Sequence, residues 1–175
     1  MPVLKYLTHI ELSGIWDIYM QSSAFGMILA HGVNIESLRI CGPLATQHSA
    51  HFRRYPRALP HLREFGLDVR KGYCTEADLF PAIVDFLAAR PQLEFSELLA
   101  APHDCYQVGL DPAVWNLMST VPNLRGLSIS VSSQIPIIFC ANSIPRGVRW
   151  LKLAAEKSYF TAQAFEAVRV FRIHD

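Results

Sequence analysis

The sequence predicts an α/β solenoid, a row of parallel strands backed by helices, and three observations predict it. A short apolar phrase recurs along the 175 residues. Helix start and stop signals fall between its copies. Hydrophobic residues make up 51% of the chain and charged residues only 18%, the balance of a chain that buries much of itself rather than staying disordered.

The phrase is apolar, two variable, apolar, one variable, apolar. It reads Leu7, Ile10, Leu12, then Ile35, Leu38, Ile40, then Leu62, Phe65, Leu67. The fourth copy, Leu93, Ser96, Leu98, has a serine at an apolar position. Leu124, Leu127, Ile129 and Val148, Leu151, Leu153 follow, and Val168, Phe171, Ile173 is the seventh. The final positions are separated by 28, 27, 31, 31, 24 and 20 residues. Leucine-rich repeats recur every 20–29 residues or so, and most of these gaps fit. The last two apolar positions lie two apart, on one face of a strand. Proline opens several copies, as in LPHL, RPQL and VPNL, where it can end a helix just ahead of a strand.

Between phrases the chain reads as helix or turn. Trp16 to Ala30 is helical in pattern, with Trp16, Met20, Ala24, Met27 and Ile28 near one face. Gly42 to Ala58 shows no clear period. Leu79 to Arg90 is the next helix, with Asp78 at its N-cap and Pro81 in the first turn. Leu79, Ile83, Phe86 and Leu87 share its apolar face, and Arg90-Pro91 ends it. Asp111-Pro112, a cap followed by proline, starts a helix through about Ser119. Ser132 to Arg146 is again hard to read. Thr161 is expected to cap a short helix around Phe165. The expectation is one leucine-rich-repeat-like horseshoe over residues 1–175, about seven irregular repeats with a parallel concave sheet and outer helices.

A doubly wound α/β domain also alternates strands and helices. It would show continuous Val/Ile-rich strands and a Gly-rich phosphate loop, and this chain has neither. Net charge is +1, with Lys and Arg scattered, so no basic stripe points to nucleic acid. The longest apolar runs, such as 135–141, are far short of the roughly 20 residues that span a bilayer. The first residues carry no secretory pattern, and Cys41, Cys74, Cys105 and Cys140 form no CxxC pair. Reduced thiols and a cytoplasmic or nuclear location are expected.

Chemistry finds little support. In His103-Asp104-Cys105 a thiol lies near an imidazole, but residues this close in sequence seldom meet with catalytic geometry. Cys41, His48 and His51 offer three metal ligands where a structural zinc site needs four. No phosphate-binding, metalloprotease or nucleophile-elbow motif occurs. No catalytic residue, metal or cofactor is expected, and a cysteine-dependent enzyme ranks behind the binding and structural readings.

What remains is a surface, because residues alternating with the inward leucines point to the concave side. Those expected to matter are His9, Glu11, Arg39, Glu64, Asp68, Phe95, Glu97, Trp150, Lys152 and Arg172. Phe95, Trp150, Arg39 and Arg172 are types enriched at interface hot spots. Glu11, Glu64, Asp68 and Glu97 suggest an acidic stripe suited to a protein partner with a basic segment. The plainer alternatives are that the aromatics pack beneath a loop, that Phe95 offsets the small Ser96, and that the acids are simply solvated.

The segments LPHLREFGLDV, RPQLEFSELLA and VPNLRGLSISV resemble the degenerate leucine-rich repeats of fungal F-box-type proteins, especially those of mushroom-forming fungi. The resemblance covers almost the whole chain and is one of repeat style. It implies the substrate-recognition part of a ubiquitin-ligase adaptor. A Skp-type adaptor would be engaged only by an F-box outside this chain, since no F-box-like segment precedes the first repeat. A truncated structural fragment with no partner of its own is the alternative. One departure is specific. Standard repeats carry an Asn or Cys ladder after each strand, and here those positions hold Ile15, Pro43, Arg70, Ala101, Ser132 and Glu156.

Overall fold

A strand forms at each of the first six phrases: β1 (His9–Ser13), β2 (Ser37–Cys41), β3 (Glu64–Asp68), β4 (Phe95–Leu99), β5 (Gly126–Ser130) and β6 (Trp150–Ala154). Among the described residues five α-helices alternate with them: α1 (Ile18–His31), α2 (His48–Arg54), α3 (Leu79–Ala88), α4 (Pro112–Met118) and α5 (Ile137–Asn142). The computed structural model describes residues 3–13, 18–42, 48–70, 76–101, 105, 107–132 and 135–154. The seventh phrase and the helix expected after Thr161 lie outside the described residues.

The fold is α/β, and the described residues form one six-stranded parallel sheet in the order β1-β2-β3-β4-β5-β6. Strand order never reverses, so connections of one hand keep every helix on the same face. That excludes the doubly wound alternative, whose order reverses at a switch point. Helices pack on their chain neighbours, α1 on α2, α2 on α3, α3 on α4 and α4 on α5. None of the described helices is long and apolar enough to cross a membrane.

Register follows the phrase. Leu12, Ile40, Leu67, Leu98, Ile129 and Leu153 stand side by side, as do Ile10, Leu38, Phe65, Ser96, Leu127 and Leu151. Both rows face the helices and join one hydrophobic cluster. Phe52 sits among three phenyl rings of this cluster, its centroid 5.1 Å from Phe25, 5.9 Å from Phe65 and 5.0 Å from Phe86. A large apolar side chain buried this completely contributes about 1.5–3 kcal/mol. One carbonyl near each strand entrance accepts two amides from the next repeat, and this pins the register. Glu36 and Ser37 donate to Thr8, Arg63 and Glu64 to Glu36, and Glu94 and Phe95 to Arg63.

The ladder missing from its standard position is partly replaced at another. The residue just before the phrase carries an amide that donates to a backbone carbonyl one repeat earlier. Asn34 Nδ2 donates to Lys5 O at 2.6 Å, Gln92 Nε2 to Pro60 O, and Asn123 Nδ2 to Pro91 O. Proline lacks an N–H, yet its carbonyl serves the neighbour.

Helix signals fare unevenly. Asp111 Oδ1 accepts from the amides of Ala113 (2.8 Å) and Val114 (3.3 Å), so α4 starts as expected. Asp78 stands at the N-cap of α3 as expected, but its side chain makes no capping bond. Its carboxylate accepts from Arg53 at 3.1 Å instead. The two hard-to-read links hold the short helices α2 and α5. The cap of α2 comes from another repeat: Glu76 accepts from the His48 and Ser49 amides and from the Ser49 hydroxyl.

Arg90, 2% exposed, ends the α3 turn and donates to the carbonyls of Phe86, Pro56 and Ala58. Burial pushes its guanidinium down to about 9, which leaves it charged at neutral pH. It fixes the loop beside Leu59, a buried residue with φ of 52°. A non-glycine residue there costs about 1–2 kcal/mol, and the clamp helps hold it.

Candidate functional site

The sheet face away from the helices carries three side-chain rows. The rim row is His9, Ser37, Glu64, Phe95, Gly126 and Trp150, and the middle row is Glu11, Arg39, Gly66, Glu97, Ser128 and Lys152. The third row begins Ser13, Cys41, Asp68 and Leu99. Over β1 to β4 the rim and middle rows line a groove of about 470 Å³ that includes His9, Glu11, Arg39, Glu64, Phe95 and Glu97.

Two glycines organise it. Arg39 and Glu97 are two strands apart, and Gly66 lies between them. Its missing side chain lets the arginine stem cross, since a Cβ there would sit 3.0 Å from Arg39 Cγ. Arg39 thereby donates to Glu97 Oε1 at 2.8 Å. The pair is asymmetric, with the Arg39 side chain 51% exposed and that of Glu97 only 10%. A hydrogen bond with Cys41, and next the charge of Glu97, hold the guanidinium above its ordinary value. Gly126 plays the same part in the rim row. A Cβ there would lie 2.5 Å from Phe95 Cδ2, so its absence lets Phe95 meet Trp150 across it. Their ring centroids are 5.5 Å apart and the planes are tilted by 41°.

The expected acidic stripe is therefore divided. Asp68 accepts from Arg70 Nε at 2.9 Å and from its terminal nitrogen at 2.6 Å. Burial alone would raise the Asp68 carboxyl, but side-chain and backbone hydrogen bonds from Arg70, together with its charge, hold it below the usual range. Glu97 is buried and engaged. Glu11 and Glu64 are exposed and form no ion pair among the described residues. Glu64 Oε2 accepts from Ser37 Oγ at 3.1 Å.

The remaining expected residues fall as follows. His9 is exposed and its Nδ1 shares a hydrogen bond of 2.9 Å with Thr8 Oγ1. Trp150 is 48% exposed and Lys152 is exposed. Arg172 lies outside the described residues. Phe95 does not offset Ser96, because strand alternation puts the two on opposite faces. Over β4 and β5 the open face is largely closed. Leu99, Gly126, Ser128 and Ser130 are buried, which corrects the expectation that every alternating residue reaches the surface. Ser130 Oγ accepts from the Ala100 amide at 3.1 Å and donates to its carbonyl at 2.8 Å.

The cysteine and histidine constellations are placed too. Cys105 is buried, with its thiol donating to Ala101 O at 3.5 Å, while residues 103 and 104 lie outside the described set. Burial pushes the Cys140 thiol up to about 12. His48 stacks on Phe25 at 5.1 Å and His51 meets the same ring edge-on at 5.9 Å. Among the described residues no three His, Cys, Asp or Glu side chains converge as a metal site would require.

Sequence reading placed Ser37, Gly66 and Gly126 on the concave side but gave them no role, and it missed the part that Arg70 plays beside Asp68. A glycine inside a strand is itself the available signal, because it often marks a close approach. Compared with protein-family models, curated proteins and solved structures, the chain matches none.

Proposed function

We propose that the chain is a solenoid of irregular leucine-rich repeats that binds a protein partner on the concave face of its sheet and catalyses nothing. The observation that carries this reading is the open face itself. Exposed carboxylates, a shielded arginine–glutamate pair and a half-exposed tryptophan are held in fixed register on a hydrogen-bonded ladder. Preorganised side chains lose little entropy on binding, and solenoids bind on such surfaces. The resemblance to F-box-type repeats extends the proposal. The partner would be a protein presented to a ubiquitin ligase in the cytoplasm or nucleus, with any Skp-type adaptor engaged by an F-box outside this chain.

Quantitative affinity capture tests the reading. The wild-type chain is compared with Arg39→Glu/Trp150→Ala on the open face and Arg53→Glu on α2. Partners should be lost with the first variant and kept with the second. Unchanged recovery with the open-face variant rejects this surface.

A further inference from the structure

We infer that the rim of the open face holds a cation subsite: a lysine or arginine side chain from an extended basic segment of the partner lies on the Phe95–Trp150 pair, its charge at the Glu64 carboxylate. The inference deepens the protein-binding reading and rests on it.

Three features converge. First, Phe95 and Trp150 form an aromatic platform made possible by Gly126, and Trp150 stays 48% exposed although large. The aliphatic stem of a lysine or arginine packs well along such a platform while its charged head stays at the polar edge. Second, Glu64 stands beside Phe95 in register and is oriented by Ser37 Oγ. Among the described residues no cation neutralises it. Its chain neighbour Arg63 is turned instead to Glu94, at 3.8 Å.

Third, the groove is electrostatically one-sided. Its arginine, Arg39, is already committed to Glu97, so Glu11 and Glu64 leave an excess of negative charge that repels phosphate and attracts a basic chain. Lys152, one row in beside Trp150, disfavours a cation at that end and directs it toward Glu64. Glu11 lies two strands and two residues from Glu64. With strands about 4.8 Å apart and about 3.3 Å per residue, that is roughly 12 Å, or about four residues of extended peptide. Two basic residues at that spacing would engage both acids.

The test uses the full chain and acetyl-Gly-Arg-Gly-Ser-Gly-Arg-Gly-amide, with the same peptide carrying citrulline for arginine as the uncharged control. Binding is read from the indole N–H resonances of the three tryptophans, that of Trp150 being assigned with Trp150→Phe. The arginine peptide should shift the Trp150 signal saturably at millimolar concentration. Glu64→Gln, an isosteric change at an exposed site that leaves folding intact, should weaken binding about fivefold or more. The citrulline peptide should leave the signal unmoved. Equal binding by Glu64→Gln, equal binding by the citrulline peptide, no shift at all, or a shift caused instead by polyuridylate would each overturn the subsite. The capture experiment judges the broader reading separately. If partners depend on the open face while the arginine peptide fails, the subsite alone is wrong. If partners ignore the open face, the protein-binding reading fails whatever the peptide does.

Discussion

Arg39→Met probes the contact that spans three strands. Methionine keeps an unbranched stem to lie over Gly66 and removes the charge, so Glu97 stays buried without its cation. Breaking a fully buried pair from one side costs about 3–5 kcal/mol, whereas an exposed pair contributes about 0–1 kcal/mol. The Glu97 side chain is 10% exposed but that of Arg39 is 51%, so solvent screens half of the pair. The expected loss is intermediate, about 2 kcal/mol in urea unfolding followed by circular dichroism, or a Tm about 4–8 °C lower for a chain of this size. Adding Glu97→Gln to Arg39→Met should restore most of the loss, because the buried group is then neutral. A single variant within about 0.5 kcal/mol of wild type, or a double variant no better than the single, would refute the reasoning.

Three further outcomes are expected. Ser96→Ala should stabilise the chain by about 1 kcal/mol in the same assay, since the Ser96 hydroxyl is fully buried in the apolar row with no hydrogen-bond partner among the described residues. A loss of stability would show that the hydroxyl is satisfied. Asp111→Ala removes two capping bonds from α4 and should cost about 1 kcal/mol, while Asp78→Ala, which caps nothing, should cost well under half of that in parallel melts. Burial, then the Arg54 charge, holds His51 below the ordinary histidine value, and the weaker pull of Glu76 does not reverse this. The unfolded chain therefore binds the proton first. Stability should fall as pH drops through about 6.5 and level off below the folded value, and His51→Asn should flatten that slope between about pH 7.5 and 5.5.

The strands were legible because each phrase states its own geometry: two inward positions two apart, alternating with outward ones. Helix α4 was legible because Asp111-Pro112 is a local signal. Helices α2 and α5, no longer than α4, were not, since among the described residues neither has a side-chain cap of its own next to it in sequence. The cap of α2 is Glu76, 27 residues from Ser49, and no local window contains it. Asp78 has the right identity in the right place, yet Arg53 from the neighbouring helix draws its carboxylate away. On the open face, residue types and side were readable but pairings were not. Arg39 and Glu97 are 58 residues apart and meet only because two register steps and a glycine bring them together. The four acids looked alike in sequence. Arg70, just past the end of β3, and Arg39, across a glycine, separated them into two engaged and two free of ion pairs among the described residues.

The unbroken strand order has a mechanical consequence. Hydrogen bonds between adjacent parallel strands run across the strands, and here that direction is the axis along which repeats succeed one another. Tension applied between β1 and β6 would load one inter-strand seam at a time, as in opening a zip. A shear geometry would instead load many bonds together. Among the described strands, the outer seams should yield first, because the inward residues Ile10 and Leu12 of β1, and Leu151 and Leu153 of β6, are only partly covered, whereas their counterparts in β2 to β5 are buried.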